Sequence, residues 1–195
     1  MKVKCVLFNI NDTLYNSHLQ MTTARMNAIR AMIETGLPTD IEMTYRVLQD
    51  IVKEYGPDYS RHFDELLKRL GLRWDPSVIA SGVIAYRETS AAYLKPYPDT
   101  VPTLIKLRDL GYKLGVVSEG RAVKQWQKLV QLGVQHIFHF VVVSEELGLN
   151  TLDPSLFKVA LEKLAVQPKE TIFVGSKLEP DIVCANKAGT ITVRI

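Results

Sequence analysis

Polar side chains suited to phosphate chemistry follow the first apolar stretch of the chain, "VKCVLF". Asn9, Asn11, Asp12 and Thr13 come directly after it, in the segment "NINDT". A buried strand that runs into such a polar turn is typical of phosphoryl-transfer sites, where carboxylates serve as nucleophile and as general acid or base. Asparagine occupies two positions where such a site needs a carboxylate, so the segment leaves open whether this chain catalyses the reaction.

Three later segments place comparable groups after apolar runs. Ser118 ends "LGVVS", Gly175 and Ser176 follow "TIFV", and Thr151 lies in the loop "LGLNTLDP". If the apolar runs form parallel strands, their carboxyl ends lie along one edge of a sheet, where ligands bind in open α/β folds. The sequence therefore predicts one site that is assembled from four separate segments.

The order of apolar patterns predicts an α/β fold. The segment "VKCVLFNI" is continuously apolar, as expected for a strand that is buried on both faces. Helical and strand patterns alternate strictly in the second half of the chain, which favours right-handed crossovers and a parallel sheet covered by helices. We therefore predict a Rossmann-like, doubly wound parallel sheet.

A helical insertion interrupts this pattern after the first strand. The inserted segment shows only helical periodicity, which is typical of a bundle, and Thr39 with Glu42 has the spacing of a capping box at one helix start. The predicted domains are an α/β core, residues 1–16 and 95–195, and a helical cap, residues 17–94.

The first two polar segments resemble motifs of the haloacid dehalogenase superfamily, in particular its archaeal phosphatase-like hydrolases with a helical cap. The first family motif is Asp-x-Asp-x-Thr, and "NINDT" has Asn9 and Asn11 at the two aspartates and Thr13 at the threonine. The second motif is a serine or threonine that ends a strand, and Ser118 matches it. The resemblance covers essentially the whole chain.

The third and fourth motifs follow in the family's order, with further changes. The third motif contains a lysine, and Thr151 stands at its position in "TLDP". The fourth is Gly-Asp followed after a short spacer by Asp; here Gly175 and Asp181 are kept, and Ser176 stands at the first aspartate. The chain thus keeps the order of the motifs while several of their charged groups are replaced.

These replacements bear on catalysis. The resemblance implies a nucleophile at position 9 and an acid/base at position 11, but a neutral amide neither attacks phosphorus readily nor exchanges a proton near neutral pH. Losing one member of a catalytic unit costs about 10⁴ to 10⁶ in rate. We therefore predict no working catalytic residue, and only vestigial positions at Asn9, Asn11, Ser118 and Thr151.

The same replacements bear on metal binding. Magnesium is generally held by one or two protein carboxylates, and the resemblance places its ligands in the first and fourth motifs. Asn9, Asn11 and Ser176 offer neutral oxygens there, which leaves Asp181 as the acidic position of a vestigial site. We therefore predict no metal ligand and no cofactor, with the ancestral Mg²⁺ lost.

A binding role remains for these polar groups. Ser118 and the backbone N–H groups of "SEGRA", at the start of a helix, are suited to a phosphate oxygen. The alternative is a purely structural role, in which the asparagines hydrogen bond in a strand-end turn. The predicted binding positions for a small phosphorylated ligand are Asn9, Asn11, Thr13, Ser118, Glu119, Gly120, Gly175 and Ser176.

Composition limits the further roles of the chain. It has 195 residues and a formal net charge of +3 without basic runs, which makes a nucleic-acid binder the most distant of the alternatives. Two cysteines in apolar surroundings, without a signal peptide or a long apolar span, predict a cytoplasmic location away from membranes. The strand "TITVRI" or the cap is expected to contact a protein partner or a second copy, since an exposed strand edge invites pairing.

Two main functions follow from the sequence. The favoured interpretation is a protein of this superfamily that has lost hydrolase activity, a pseudoenzyme that acts as a binding subunit, scaffold or member of a complex. The alternative is a Mg²⁺-dependent phosphatase of small phosphate esters with weak or altered activity.

Overall fold

A computed structural model describes residues 2–195, and its centre is a five-stranded parallel sheet. The strands are β1 (Cys5–Phe8), β2 (Lys113–Ser118), β3 (Phe140–Val143), β4 (Thr171–Gly175) and β5 (Ile191–Arg194). Their order in the sheet is β3-β2-β1-β4-β5, and every neighbouring pair is parallel. Because β1 lies between β2 and β4, the residues that follow it can reach the ends of both neighbours. The predicted α/β fold is confirmed.

Helices connect the strands. The helices are α1 (Ser17–Glu34), α2 (Ile41–Tyr55), α3 (His62–Arg69), α4 (Pro76–Tyr93), α5 (Thr100–Asp109), α6 (Ala122–Gln131), α7 (Pro154–Leu164) and α8 (Val183–Lys187). The first four come between β1 and α5, and the others alternate with strands. None of the helices within residues 2–195 has the length and apolar character that a membrane crossing requires.

The strands are apolar because helices cover both faces of the sheet. Successive side chains of a strand point to opposite faces. Cys5 and Leu7 join a core with Phe157 and other residues of α7, whereas Val6 and Phe8 join a second core that includes residues of α5 and α6. The continuous apolar run in β1 is therefore explained by burial on both sides.

The chain divides into two compact units. One contains the residues up to Ser17 together with Leu94–Ile195, and the other is His18–Tyr93. The second unit has its own apolar core, which includes Ile29 and Leu66. That this unit acts as a cap domain, with the boundaries given above, stays a prediction.

The start of α2 differs from the prediction. Its N-cap is Asp40, whose side chain accepts a hydrogen bond from the Met43 N–H at 2.8 Å. The Thr39 hydroxyl instead lies 2.6 Å from that of Thr44. The capping box predicted for Thr39 and Glu42 is therefore wrong, because the carboxylate one residue later reaches the helix N-terminus.

The segment before β5 also differs from the prediction. The sequence predicts one helix over residues 178–189, but a wide turn, Leu178–Ile182, precedes the short α8. Glu179 has an extended backbone (φ −121°, ψ 133°), as expected for a residue before proline. This turn places the side chain of Asp181 toward the end of β4.

Candidate functional site

Asn9 lies at the centre of the strand-end site. It follows β1 directly and is 5% exposed. Its Oδ1 accepts hydrogen bonds from the Ile10 N–H at 2.7 Å and from the Ser118 hydroxyl at 3.1 Å. Because both donors face Oδ1, the orientation of the amide is fixed, and its NH₂ group points the other way.

Asp181 accepts hydrogen bonds from that NH₂ group. Nδ2 of Asn9 lies 3.1 Å from Oδ1 and 3.0 Å from Oδ2 of Asp181. The backbone N–H groups of Ser176 and Lys177 donate to Oδ2 at 3.0 and 3.1 Å. These hydrogen bonds compensate the burial of a carboxylate that is 1% exposed. The Asn9 amide thus donates hydrogen bonds to Asp181, whereas an aspartate at position 9 would place a second negative charge beside it.

Gly175 makes the approach of Asp181 possible. A Cβ at this position would lie 2.9 Å from both the Cβ and Oδ2 of Asp181, and 2.9 Å from the ring of Phe173. Such distances are closer than carbon atoms tolerate. The glycine of the fourth segment is therefore required by packing.

Asn11 connects the first and fourth segments. Its backbone carbonyl accepts hydrogen bonds from the hydroxyls of Thr13 at 3.3 Å and Ser176 at 3.4 Å. Its side-chain Oδ1 accepts from the Tyr15 hydroxyl at 3.1 Å and from Nζ of Lys128 at 2.8 Å. The structure thus brings Asn9, Asn11, Thr13, Ser118, Ser176 and Asp181 into one hydrogen-bonded network.

Sequence reasoning missed Lys128 and Tyr15. Lys128 lies on α6, and its Nζ also donates to Oε1 of Gln125 at 3.2 Å. Gln125 and Leu129 are both buried, so this face of the helix packs inward. A glutamine and a lysine three residues apart on the inward face of an amphipathic helix are the signal that would have pointed to the site.

Thr151 contacts Glu119 instead of the central network. Oε2 of Glu119 accepts hydrogen bonds from the Thr151 hydroxyl at 3.2 Å and from the Leu152 N–H at 3.3 Å. Nζ of Lys177 lies 4.0 Å from Oε1 of the same carboxylate. Glu119 therefore holds the loop of the third segment against the end of β2.

The N–H groups expected to bind phosphate at the start of α6 have protein partners. The Gly120 N–H donates to the buried Ser144 hydroxyl at 2.9 Å, and the Ala122 N–H donates to the Glu145 carboxylate at 2.7 Å. A carboxylate is favoured there by the helix dipole. The sequence predicted that N–H groups at this helix start would bind a phosphate oxygen. In the structure, these two N–H groups donate to protein side chains instead.

The residues around Asp181 supply oxygen atoms, the ligands that Mg²⁺ prefers. Within residues 2–195, no group of three or more His, Cys, Asp and Glu side chains could hold a metal ion. The Asp181 carboxylate, the Ser176 hydroxyl and the Asn11 carbonyl are nevertheless hard oxygen donors in one network. Because Mg²⁺ is commonly held by one or two carboxylates together with substrate phosphates, these residues fit an ion shared between protein and substrate.

The sequence as a whole matches the haloacid dehalogenase-like hydrolase family over residues 6–195. The chain belongs to this family. A similar relative from Methanopyrus kandleri, named glyceraldehyde 3-phosphate phosphatase, is 53% identical over 99% of this chain and 84% of its own length. A relative of the same name from Methanocaldococcus jannaschii is 41% identical over 99% of this chain and 85% of its own length.

Solved structures show the same fold. The HAD-hydrolase YfnB from Bacillus subtilis, whose crystal structure is bound to magnesium, has a TM-score of 0.68 and 20% sequence identity. The match covers 100% of this chain and 87% of that one. The match to the family, together with these relatives, confirms the resemblance to the haloacid dehalogenase superfamily.

The comparisons contradict two predictions from the sequence. The interpretation as a pseudoenzyme without hydrolase activity is wrong, because relatives up to 53% identical over almost the whole chain are named phosphatases. The expectation of no cofactor, with Mg²⁺ lost, is contradicted on the same ground, and magnesium is present in YfnB. The first prediction rested on the amides at positions 9 and 11, and the second rested on the small number of carboxylates, although a substrate phosphate can contribute oxygen ligands of its own.

Proposed function

We propose that this chain is a phosphatase of small phosphate esters and that its substrate is a triose phosphate such as glyceraldehyde 3-phosphate. The observation that carries the proposal is the network of Asn9, Ser118, Ser176 and Asp181 at the strand ends, in a chain 53% identical to a relative with that name. The site lies where open parallel sheets bind ligands.

The attacking group in this reaction must differ from the aspartate that the family resemblance implies at position 9. Hydrolysis of a phosphate monoester forms a bond from a water oxygen to phosphorus and breaks the ester P–O bond, while water loses one proton and the ester oxygen gains one. Because the side chain at position 9 is an amide, it does not supply the attacking oxygen. We propose that water attacks phosphorus directly, without a phosphorylated residue at Asn9.

In this proposal, magnesium binds at the strand ends beside Asp181. The Asp181 carboxylate, the Ser176 hydroxyl and the Asn11 carbonyl would hold the ion together with the substrate phosphate. A bound Mg²⁺ supplies charge compensation for the phosphoryl oxygens. The Asn9 amide orients the carboxylate of Asp181 through its two hydrogen bonds.

Release of inorganic phosphate from glyceraldehyde 3-phosphate tests the proposal. We expect release by the purified chain that requires MgCl₂ and stops with EDTA. Asp181→Asn should lower kcat/KM by about 10² to 10³, the usual cost of one preorganised group. The matched control is Asp109→Asn at an exposed position, which should keep the wild-type rate. Release no faster than a heat-denatured blank would refute the proposal.

Location and partners belong to the same proposal. Cys5 and Cys184 are free thiols, and burial raises the pKa of Cys5 to about 11. A buried thiol with a raised pKa stays protonated, which suits a reducing compartment and supports a cytoplasmic location. At the sheet edge, β5 carries the partly exposed side chains of Ile191 and Val193, which supports pairing with a protein partner or a second copy.

A further inference from the structure

We propose that the outward face of α6 is a contact surface for a second copy of this chain. This surface, called the α6 face below, carries Val123, Trp126, Gln127 and Val130. The exposed fractions are 70% for Val123, 39% for Trp126 and 56% for Val130, whereas Gln125 on the opposite side of the helix is buried. A helix that packs only against its own core has the reverse pattern, with apolar residues inside and polar residues outside. Neighbouring exposed apolar side chains of this kind mark contact sites.

The apolar side chains of the α6 face form one stripe. Val123, Trp126 and Val130 are separated by three and four residues, a spacing that places them on the same side of an α-helix. They line a shallow groove together with Ala122, Gln127 and Gln131. All six of these side chains are uncharged, in a chain whose formal net charge is +3. Two positively charged copies therefore approach through this surface without bringing like charges together.

The stripe matches itself when the helix is reversed, which is the property that a two-fold contact requires. In such a contact, residue i of one copy meets residue j of the other, and j meets i. The midpoint between positions 123 and 130 falls directly after Trp126. An antiparallel pair of α6 helices therefore places Val123 opposite Val130 of the second copy. The two Trp126 rings then lie side by side at the two-fold axis, where aromatic pairs pack favourably.

The charges at the ends of α6 favour the antiparallel arrangement. Nε of Arg121 lies 3.9 Å from Oε1 of Glu145 at the N-terminal end of the helix, and both side chains are exposed. A parallel pair would place Arg121 beside Arg121 of the second copy. In an antiparallel pair, the two arginines lie at opposite ends of helices about 15 Å long. The positive end of each helix dipole then lies beside the negative end of the other.

The size of the α6 face determines how strong the dimer can be. A stable interface buries about 800 Å² on each partner, which is more than one face of a ten-residue helix offers. We therefore expect a weak dimer with a dissociation constant of about 10 to 100 micromolar.

Sedimentation equilibrium of the full chain at several concentrations tests the inference. Val123→Lys and Val130→Glu should each raise the dissociation constant about 10-fold or more, because an unpaired charge is then buried against an apolar side chain. The double variant Val123→Lys/Val130→Glu should recover the dimer, since antiparallel packing brings the introduced cation beside the introduced carboxylate of the other copy. The matched control is Ile84→Glu at an exposed apolar position of α4, which should keep the wild-type constant. Circular dichroism would verify that each variant is folded.

Fluorescence provides a second measurement at the two-fold axis. In a Trp74→Phe variant, Trp126 is the single tryptophan of the chain. Its emission should shift to longer wavelengths on dilution, because the ring is returned to water when the dimer dissociates. An emission maximum that stays constant while the dimer dissociates would overturn the inference.

Three other results would also overturn it. The first is a wild type that stays monomeric at about 1 mM, far above the expected dissociation constant. The second is a double variant that associates no better than its two single variants. The third is a dimer that Val193→Lys in β5 disrupts while Val123→Lys does not, which would place the contact at the sheet edge instead.

Discussion

The pair of Asn9 and Asp181 defines the chemistry of the site at the scale of single residues. Two carboxylates at this separation would repel, and one of them would stay protonated or require a cation. The amide removes that conflict, because its NH₂ group donates to both oxygens of Asp181. The site therefore keeps one buried carboxylate that is stabilised entirely by hydrogen bonds.

Asn9→Asp should make the stability of the protein depend on magnesium. The new carboxylate would lie about 3 Å from that of Asp181, at a cost of about 1–3 kcal/mol in the free energy of unfolding without metal. Repulsion raises the pKa of one carboxyl in the folded state, so the variant should regain stability as the pH falls toward that pKa. Thermal unfolding with MgCl₂ and with EDTA, at several pH values, measures the effect.

The wild type is the control for this experiment, since an amide does not titrate in this range. We expect a larger rise in melting temperature on adding MgCl₂ for Asn9→Asp than for the wild type, because the variant offers a second carboxylate. Equal shifts in the two proteins would contradict the assignment of this edge of the sheet as the metal site.

Gly175→Ala should destabilise the site by steric overlap. Its Cβ would meet the Cβ of Asp181 at 2.9 Å, and such overpacking costs about 1–3 kcal/mol. Gly82→Ala is the comparison, because its Cβ would meet Cγ and Sδ of Met32 at 2.7 Å, and this unbranched side chain adjusts more readily than a carboxylate held by hydrogen bonds. Urea unfolding would measure both, and a larger loss for Gly82→Ala would contradict the packing argument.

At the scale of elements, the sequence predicted the parallel sheet because both faces of each central strand are buried. The alternation of helix and strand then determined the order of elements and the edge where the site lies. Helical periodicity alone missed the turn at Leu178–Ile182, although Pro180 signals it, because the residue before a proline leaves the helical conformation. Lys128 was missed because its contact with Asn11 spans 117 residues of sequence; its spacing from Gln125 could indicate an inward-facing helix surface but not the contact with Asn11.

The N-terminus of α2 provides a test at this scale. Asp40→Ala removes the side chain that accepts from the Met43 N–H, and loss of such a cap costs about 0.5–2 kcal/mol. Thr39→Ala, one residue earlier, leaves that cap in place and should cost less. The free energy of unfolding from urea titration distinguishes them, and a greater loss for Thr39→Ala would restore the capping box predicted from the sequence.

At the scale of the whole molecule, one of the two compact units carries the candidate site. Asn9, Ser118, Lys128, Ser176 and Asp181 all belong to the unit formed by the residues up to Ser17 and Leu94–Ile195. The sequence predicted this placement from the order of its polar segments for all of these residues except Lys128. The predicted loss of activity was wrong, because it was drawn from the side-chain types at positions 9 and 11 alone.

The hydrogen bonds between Asn9 and Asp181 also have a consequence for the order of events during turnover. The buried Asp181 carboxylate is held by hydrogen bonds from Asn9, Ser176 and Lys177, so the pocket has its folded geometry without an ion. For the proposed magnesium-dependent phosphatase, we therefore expect folding to be independent of magnesium, and we expect the ion to bind together with the phosphate ester. The apparent magnesium requirement would then fall as the substrate concentration rises.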